Sequence, residues 1–145
     1  MTKKIKVENN AATRVGRRNS ARRAAIVSVL ERSTTALTPD EVHNEATKLT
    51  SSLGIATVYR NLKLLLESKI VQRIILPDGQ LRYELVGKKH HCHFQCNLCG
   101  RAYCLVGCAL ATKPSVILPD GFVADGHEIT YLGTCARCND DKERE

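Results

Sequence analysis

The sequence has no apolar run approaching the roughly 18 residues that a membrane-spanning helix requires, so no membrane association of that kind is expected. Its opening stretch, MTKKIKVENNAATRVGRR, has the positive charge of a signal peptide but not the apolar core, and a cytoplasmic protein is expected. A phosphate-cradling glycine loop is missing, and so is any Ser-His-Asp order. The zinc-deaminase pattern, His-x-Glu followed by Pro-Cys-x-x-Cys, is absent too: Glu128 directly follows His127, and no proline precedes either cysteine pair. These absences remove the readiest catalytic readings. A binding protein is expected rather than an enzyme.

Acidic residues are scarce at one end. Residues 1–23 hold Lys3, Lys4, Lys6, Arg14, Arg17, Arg18, Arg22 and Arg23 against Glu8 alone, which accounts for the whole net charge of +7. A basic arm on a neutral body suits a polyanionic partner. At 145 residues the chain can form one ordinary domain or two small ones, and small domains bury little surface unless something staples them. Its seven cysteines can supply that staple. In the cytoplasm thiols stay reduced, so they read as metal ligands or reactive thiols rather than disulfides.

The first half reads as three helices and a hairpin. Ala21, Ala25, Ile26, Val29 and Leu30 recur at helical spacing, which predicts a helix over about residues 20–32 capped by Asn19 or Ser20. In "LTPDEVHNEA", Thr38 caps, Pro39 takes the first helical position and Glu41 completes a capping box. His43 on that helix is expected to be solvated. The stretch "SSLGIATVYRNLKLLLESKIV" places Ile55, Val58, Leu62 and Leu65 on one face and leaves Thr57, Tyr59, Arg60 and Lys63 elsewhere. "IVQRIIL" and "LRYEL" flank an Asp-Gly turn, the signature of a hairpin. Three helices followed by a hairpin make a winged helix, whose third helix enters a DNA major groove while the hairpin follows the backbone. Arg60 suits guanine, and Thr57 and Tyr59 suit a thymine methyl or a phosphate. Arg17 and Arg18 on the arm suit phosphates. The bland alternative for Tyr59 is that it packs inside.

The second half is built around ligands. Cys96 and Cys99 form one Cys-x-x-Cys and Cys135 and Cys138 another, each able to give two thiolates to one tetrahedral zinc ion. In "HHCHFQC" an extended strand would send His91 and His93 one way and His90 and Cys92 the other. Glu84, Cys104, Cys108 and His127 are candidates to complete these sets, although Cys108 reads first as a small buried hydrophobe. Gly107 and Pro114 argue against a long helix after Cys104.

Taken together, "ATVYRNL", "RYEL", "HHCHFQCNLCG" and "CARC", in that order, resemble the ferric uptake regulator superfamily of bacterial metal-dependent repressors, over nearly the whole chain from about residue 19 to Cys138. The resemblance implies an α+β chain: a basic arm at 1–18, a winged-helix domain at 19–85, a hinge at 86–89, a metal-binding dimerisation domain at 90–138 and a charged tail at 139–145. It also implies a homodimer that binds A/T-rich inverted repeats of double-stranded DNA and controls metal homeostasis genes. Cys96, Cys99, Cys135 and Cys138 match the structural zinc site. Glu84, His91 and His93 match a regulatory site between the domains, which Cys104 is expected to join; His90 and His127 match a further site, where Cys92 stands in place of a frequent Asp. The histidine often found before the second helix is missing, with Ala36 or Leu37 in its neighbourhood. Thiolates favour zinc over iron(II) or manganese(II), so the zinc-responsive branch is expected. The iron- and peroxide-sensing branches, or a thiol-switched DNA-binding protein with structural zinc only, are the alternatives.

Overall fold

The computed structural model describes residues 10–89, 91–108 and 117–142. In chain order its elements are α1 (Asn10–Arg32), α2 (Pro39–Ala46), α3 (Ile55–Glu67), β1 (Val71–Ile75), β2 (Leu81–Leu85), β3 (Cys92–Cys96), β4 (Ala102–Leu105), β5 (Thr130–Gly133) and α4 (Ala136–Lys142). The expected α+β winged helix followed by a small second unit is present.

The helix α1 starts at Asn10, not at about residue 20. Alanine and arginine are strong helix formers, and they fill residues 11–25 densely enough to carry the helix straight through Asn19 and Ser20, the expected caps. Much of the expected flexible arm is therefore helical, and Arg17 and Arg18 stand exposed on it. Ala25, Ile26, Val29 and Leu30 are buried, whereas Ala21 is exposed. They form one core with Val42 and Ala46 of α2, Val58, Leu62 and Leu65 of α3, and Val71 and Tyr83 of the hairpin.

The helix α2 begins as its sequence dictates. The Thr38 hydroxyl accepts from the Glu41 backbone N–H at 3.3 Å, and Glu41 Oε2 accepts from the Thr38 N–H at 2.9 Å. His43 is not simply solvated: its Nε2 donates to the Leu53 carbonyl at 2.8 Å and ties α2 to the loop before α3. On α3, Ile55 is exposed and Asn61 is buried in its stead, donating to the Thr57 carbonyl at 2.8 Å.

Strands β1 and β2 pair antiparallel, Val71 with Leu85 through Ile75 with Leu81, around a loop in which Gly79 has a φ of +74°. Leu37 bonds Tyr83 in both directions, at 3.0 and 2.7 Å, and adds a one-residue third strand to this wing. The second sheet has the order β4-β3-β5, with β4 antiparallel and β5 parallel to β3.

The wing docks on this second sheet. A small apolar cluster joins Ala36, Ile74 and Leu76 to Ala102 of β4. The Arg82 side chain, 3% exposed, forks onto Asp78 at 2.9 and 2.8 Å and donates to the Gly100 carbonyl at 2.6 Å. The Cys104 N–H donates to the Thr34 carbonyl at 3.0 Å. Among the described residues no helix is long and apolar enough to cross a membrane.

Candidate metal centre

Among the described residues two groups of four donors converge, each with its ligand atoms within 4.8 Å of one another: Cys96, Cys99, Cys135 and Cys138; and Glu84, His91, His93 and Cys104.

The sheet topology assembles the first group. Cys96 ends β3, and the chain turns at Gly100, where φ is +70°, so that Cys99 folds back beside it. The parallel strand β5 lies against β3 with Gly133 beside Cys96, and the Asn97 N–H donates to the Gly133 carbonyl at 2.7 Å. Cys135 follows at once, and α4 carries Cys138. Sequence separation is thus removed by strand pairing.

All seven cysteines are free thiols, and Cys99 Sγ lies 3.8 Å from Cys135 Sγ. That is no disulfide, but it matches the edge, about 3.8 Å, of a tetrahedron with metal–sulfur bonds of about 2.3 Å. Backbone N–H groups of Cys99 and Cys135 aimed at Cys96 Sγ hold its thiol down at about 6, while a hydrogen bond with Cys135 pushes Cys138 up to about 12. Four thiols so close cannot all ionise alone. A divalent cation that accepts thiolates removes the conflict, so these residues fit zinc.

The second group spans the wing and the second sheet. Glu84 is on β2, His91 precedes β3, His93 lies within it, and Cys104 stands opposite His93 on β4. The Glu84 side chain is 1% exposed. Its Oε1 accepts from Gln72 Nε2 at 2.6 Å. Its Oε2 faces His91 Nε2 at 3.0 Å, His93 Nε2 at 3.6 Å and the Cys104 thiol at 3.4 Å. Burial raises the Glu84 carboxyl, but the nearby His93 ring and hydrogen bonds from Gln72 and His91 outweigh it and hold it down at about 2. Burial pushes the Cys104 thiol up to about 11.

Two observations show that this group fits a metal. His91 Nδ1 donates to the Lys89 carbonyl at 2.9 Å, so Nε2 can hydrogen-bond the Glu84 oxygen only in the imidazolium. In the neutral ring a cation must take that proton's place. His93 Nε2 is buried with no hydrogen-bond partner, an orphaned donor or acceptor that ligation would satisfy. The neighbourhood of the missing histidine is filled by Ala36 and Leu37, both buried, and adds no donor.

Cys92 and His127 are placed elsewhere. The Cys108 thiol pushes the Cys92 thiol up, and Cys108 Sγ lies 3.3 Å from His127 Nε2, so Cys108 is not merely a small buried hydrophobe. His90 lies outside the described residues. Gly107, at φ +83°, turns the chain after β4, and no helix joins Cys104 to Cys108. On α3, Tyr59 is 51% exposed and does not pack inside. Arg60, also exposed, donates to the Thr57 hydroxyl at 3.2 Å. No local motif in the sequence marks Gln72 or Arg82 as belonging to this site. Pairing outward from the Asp78-Gly79 turn sets Gln72 opposite Glu84, which was the available signal.

A winged helix docked on a small sheet that carries two such donor groups is the architecture of a metal-responsive transcriptional regulator. The ferric uptake regulator family model matches residues 14–132. The ferric uptake regulation protein of Campylobacter jejuni is 32% identical over 132 residues, covering 89% of this chain and 84% of that protein. The zinc uptake regulation protein of Mycobacterium tuberculosis is 30% identical over 124 residues, covering 85% and 95%. A solved zinc-bound manganese uptake regulator superposes with a TM-score of 0.63 at 26% identity, covering 86% of this chain and 95% of that one. The chain belongs to the ferric uptake regulator family. Its relatives' names divide among iron, zinc and manganese, so membership alone leaves the metal open.

Proposed function

We propose that this protein is a zinc-responsive repressor: zinc at Cys96, Cys99, Cys135 and Cys138 holds the second unit folded, and zinc at Glu84, His91, His93 and Cys104 controls DNA binding. The observation that carries the reading is that the second group joins the wing, through Glu84, to β3 and β4, through His91, His93 and Cys104. A ligand shared between two bodies favours the arrangement in which all its donors converge, and it shifts the equilibrium by its differential affinity for that arrangement. A thiolate beside two imidazoles and one carboxylate suits zinc better than iron(II) or manganese(II).

The DNA-facing residues are Tyr59 and Arg60 on α3, with Thr57 behind them and Arg17 and Arg18 on α1 supplying phosphate contacts. The partner is double-stranded DNA, an A/T-rich inverted repeat read by a homodimer. Dimerisation is supported by β5, an edge strand with exposed Tyr131 and Leu132, and by exposed Ile117, Phe122 and Val123. The domain limits follow: winged helix to residue 85, hinge at 86–89, where Gly87 has a φ of +91°, and dimerisation unit from residue 90. The cytoplasm is its place of action.

The test is fluorescence anisotropy of the gene's upstream DNA, measured anaerobically while free zinc and then free iron(II) are buffered across a series. Binding that appears only as zinc rises supports the reading, and binding driven by iron(II) overturns the choice of metal. A thiol-switched reading is favoured by one observation, the Cys108 thiol 3.3 Å from the His127 imidazole. His91→Ala with His93→Ala separates the two: the zinc-responsive regulator loses metal-dependent DNA binding, and the thiol-switched protein keeps it.

A further inference from the structure

Gln72 touches the Glu84 carboxylate without being a metal ligand. It stands directly opposite Glu84 in the β1–β2 ladder, and its Nε2 lies 2.6 Å from Oε1. A carboxylate can only accept, so the Gln72 amide NH₂ donates. The three other donors of the group face Oε2 instead, at 3.0, 3.6 and 3.4 Å. The two oxygens of one carboxylate therefore have separate partners.

We propose that Gln72 is a specificity-determining residue: by holding Glu84 Oε1 it leaves a single oxygen for the metal, fixes the site at four donors and so favours zinc over iron(II) and manganese(II). This rests on the reading of the Glu84, His91, His93 and Cys104 group as the regulatory site. Zinc is satisfied by four ligands in a tetrahedron. Iron(II) and manganese(II) favour more ligands and harder ones, which a carboxylate ligating through both oxygens would begin to supply. Among the described residues no other carboxylate, imidazole or thiol joins this group. The segment that passes behind Cys104 contributes Thr34, Thr35, buried Ala36 and buried Leu37, none of which is a carboxylate, imidazole or thiolate. Partners that orient a ligand in this way change metal affinity about 10–100-fold when they are removed.

The experiment compares the full chain with Gln72→Met, which keeps the length and loses the donor, and Gln72→Lys, which restores a donor. Gln72 is on an exposed position of β1, so neither change disturbs the core. With zinc retained at the four-cysteine group, cobalt(II) is added and its ligand-field and thiolate charge-transfer absorption recorded. Zinc and iron(II) affinities are then measured by chelator competition without oxygen. The unaltered protein is expected to give a tetrahedral spectrum that Cys104→Ser alters. Gln72→Met is expected to lose about 10–100-fold in zinc affinity, less in iron(II) affinity, and the intensity of the tetrahedral bands; Gln72→Lys is expected to restore all three. Equal losses for zinc and iron(II) with the tetrahedral spectrum intact would overturn the inference, as would failure of Gln72→Lys to restore the preference at unchanged melting temperature. If the unaltered protein gives no cobalt spectrum sensitive to Cys104→Ser, the regulatory-site reading itself has failed, and the inference falls with it.

Discussion

Replacing Glu84 by Gln keeps the volume of a side chain that is 1% exposed and removes its charge. Without metal in the second group, Glu84 accepts from Gln72 at 2.6 Å and Cys104 at 3.4 Å and lies 3.0 Å from His91. An amide can turn its oxygen to Gln72 and its NH₂ toward the imidazole nitrogens, so only charge assistance is lost, a cost of about 1–3 kcal/mol. The sign with pH follows from the carboxyl, held at about 2 against its ordinary 4.5. A folded value below the unfolded one stabilises fully above pH 4.5, and the contribution fades as pH falls toward 2. At about 1.4 kcal/mol per pH unit between 4.5 and 2 it amounts to at most ~3.5 kcal/mol, and Glu84→Gln lacks this loss. Metal gives the sharper test. Zinc at 100 times its dissociation constant adds about 2.7 kcal/mol, which at a slope near 2 kcal/mol per molar moves the urea midpoint by about 1.3 M. Urea unfolding followed by circular dichroism, with the four-cysteine group already loaded, should show that shift in the unaltered protein and none in Glu84→Gln. An equal shift in both would refute Glu84 as a ligand and with it the bridging mechanism.

Cys99→Ser removes one of the four thiols proposed to hold zinc; bound zinc measured by mass spectrometry should fall by one per chain, and proteolysis should open the region from Cys96 to Cys138. Arg60→Ala breaks only an exposed contact with Thr57, so stability should change by less than about 0.5 kcal/mol. Operator affinity should meanwhile fall by about 1–3 kcal/mol in a binding titration, with relaxed sequence preference. Arg82→Met leaves Asp78 without its guanidinium and the Gly100 carbonyl without its donor. It should cost about 2–3 kcal/mol in urea unfolding, below the ~3–5 typical of a broken buried pair, because Asp78 still reaches water.

Local chemistry carried far along this chain. The capping box of α2 and the hairpin turn at Asp78-Gly79 each depend on a few adjacent residues, and each lies where its pattern places it. The cysteine pairs were visible as donors, and what brings them together was not. A parallel pairing of β5 with β3 is decided by packing across some 35 residues, which no periodicity records. Asn19 and Ser20 cap helices well in isolation, but α1 starts at Asn10 because the alanine- and arginine-rich turns before them outweigh that preference. His43 and Cys108 each looked bland, and each meets a partner distant in sequence. Gln72 is an ordinary strand residue until its register with Glu84 is known.

The five residues of β3 have a consequence for how this molecule can change. His93 serves one donor group and Cys96 the other, three residues and about 10 Å apart along the strand. A strand's side chains alternate, so a one-residue slip of β3 against its neighbours would turn His93 and Cys96 each to its opposite face at once. A slip cannot displace one group while the other stays. One strand register therefore sets the geometry of both groups, the four-thiol one and the mixed one, whether or not either holds an ion.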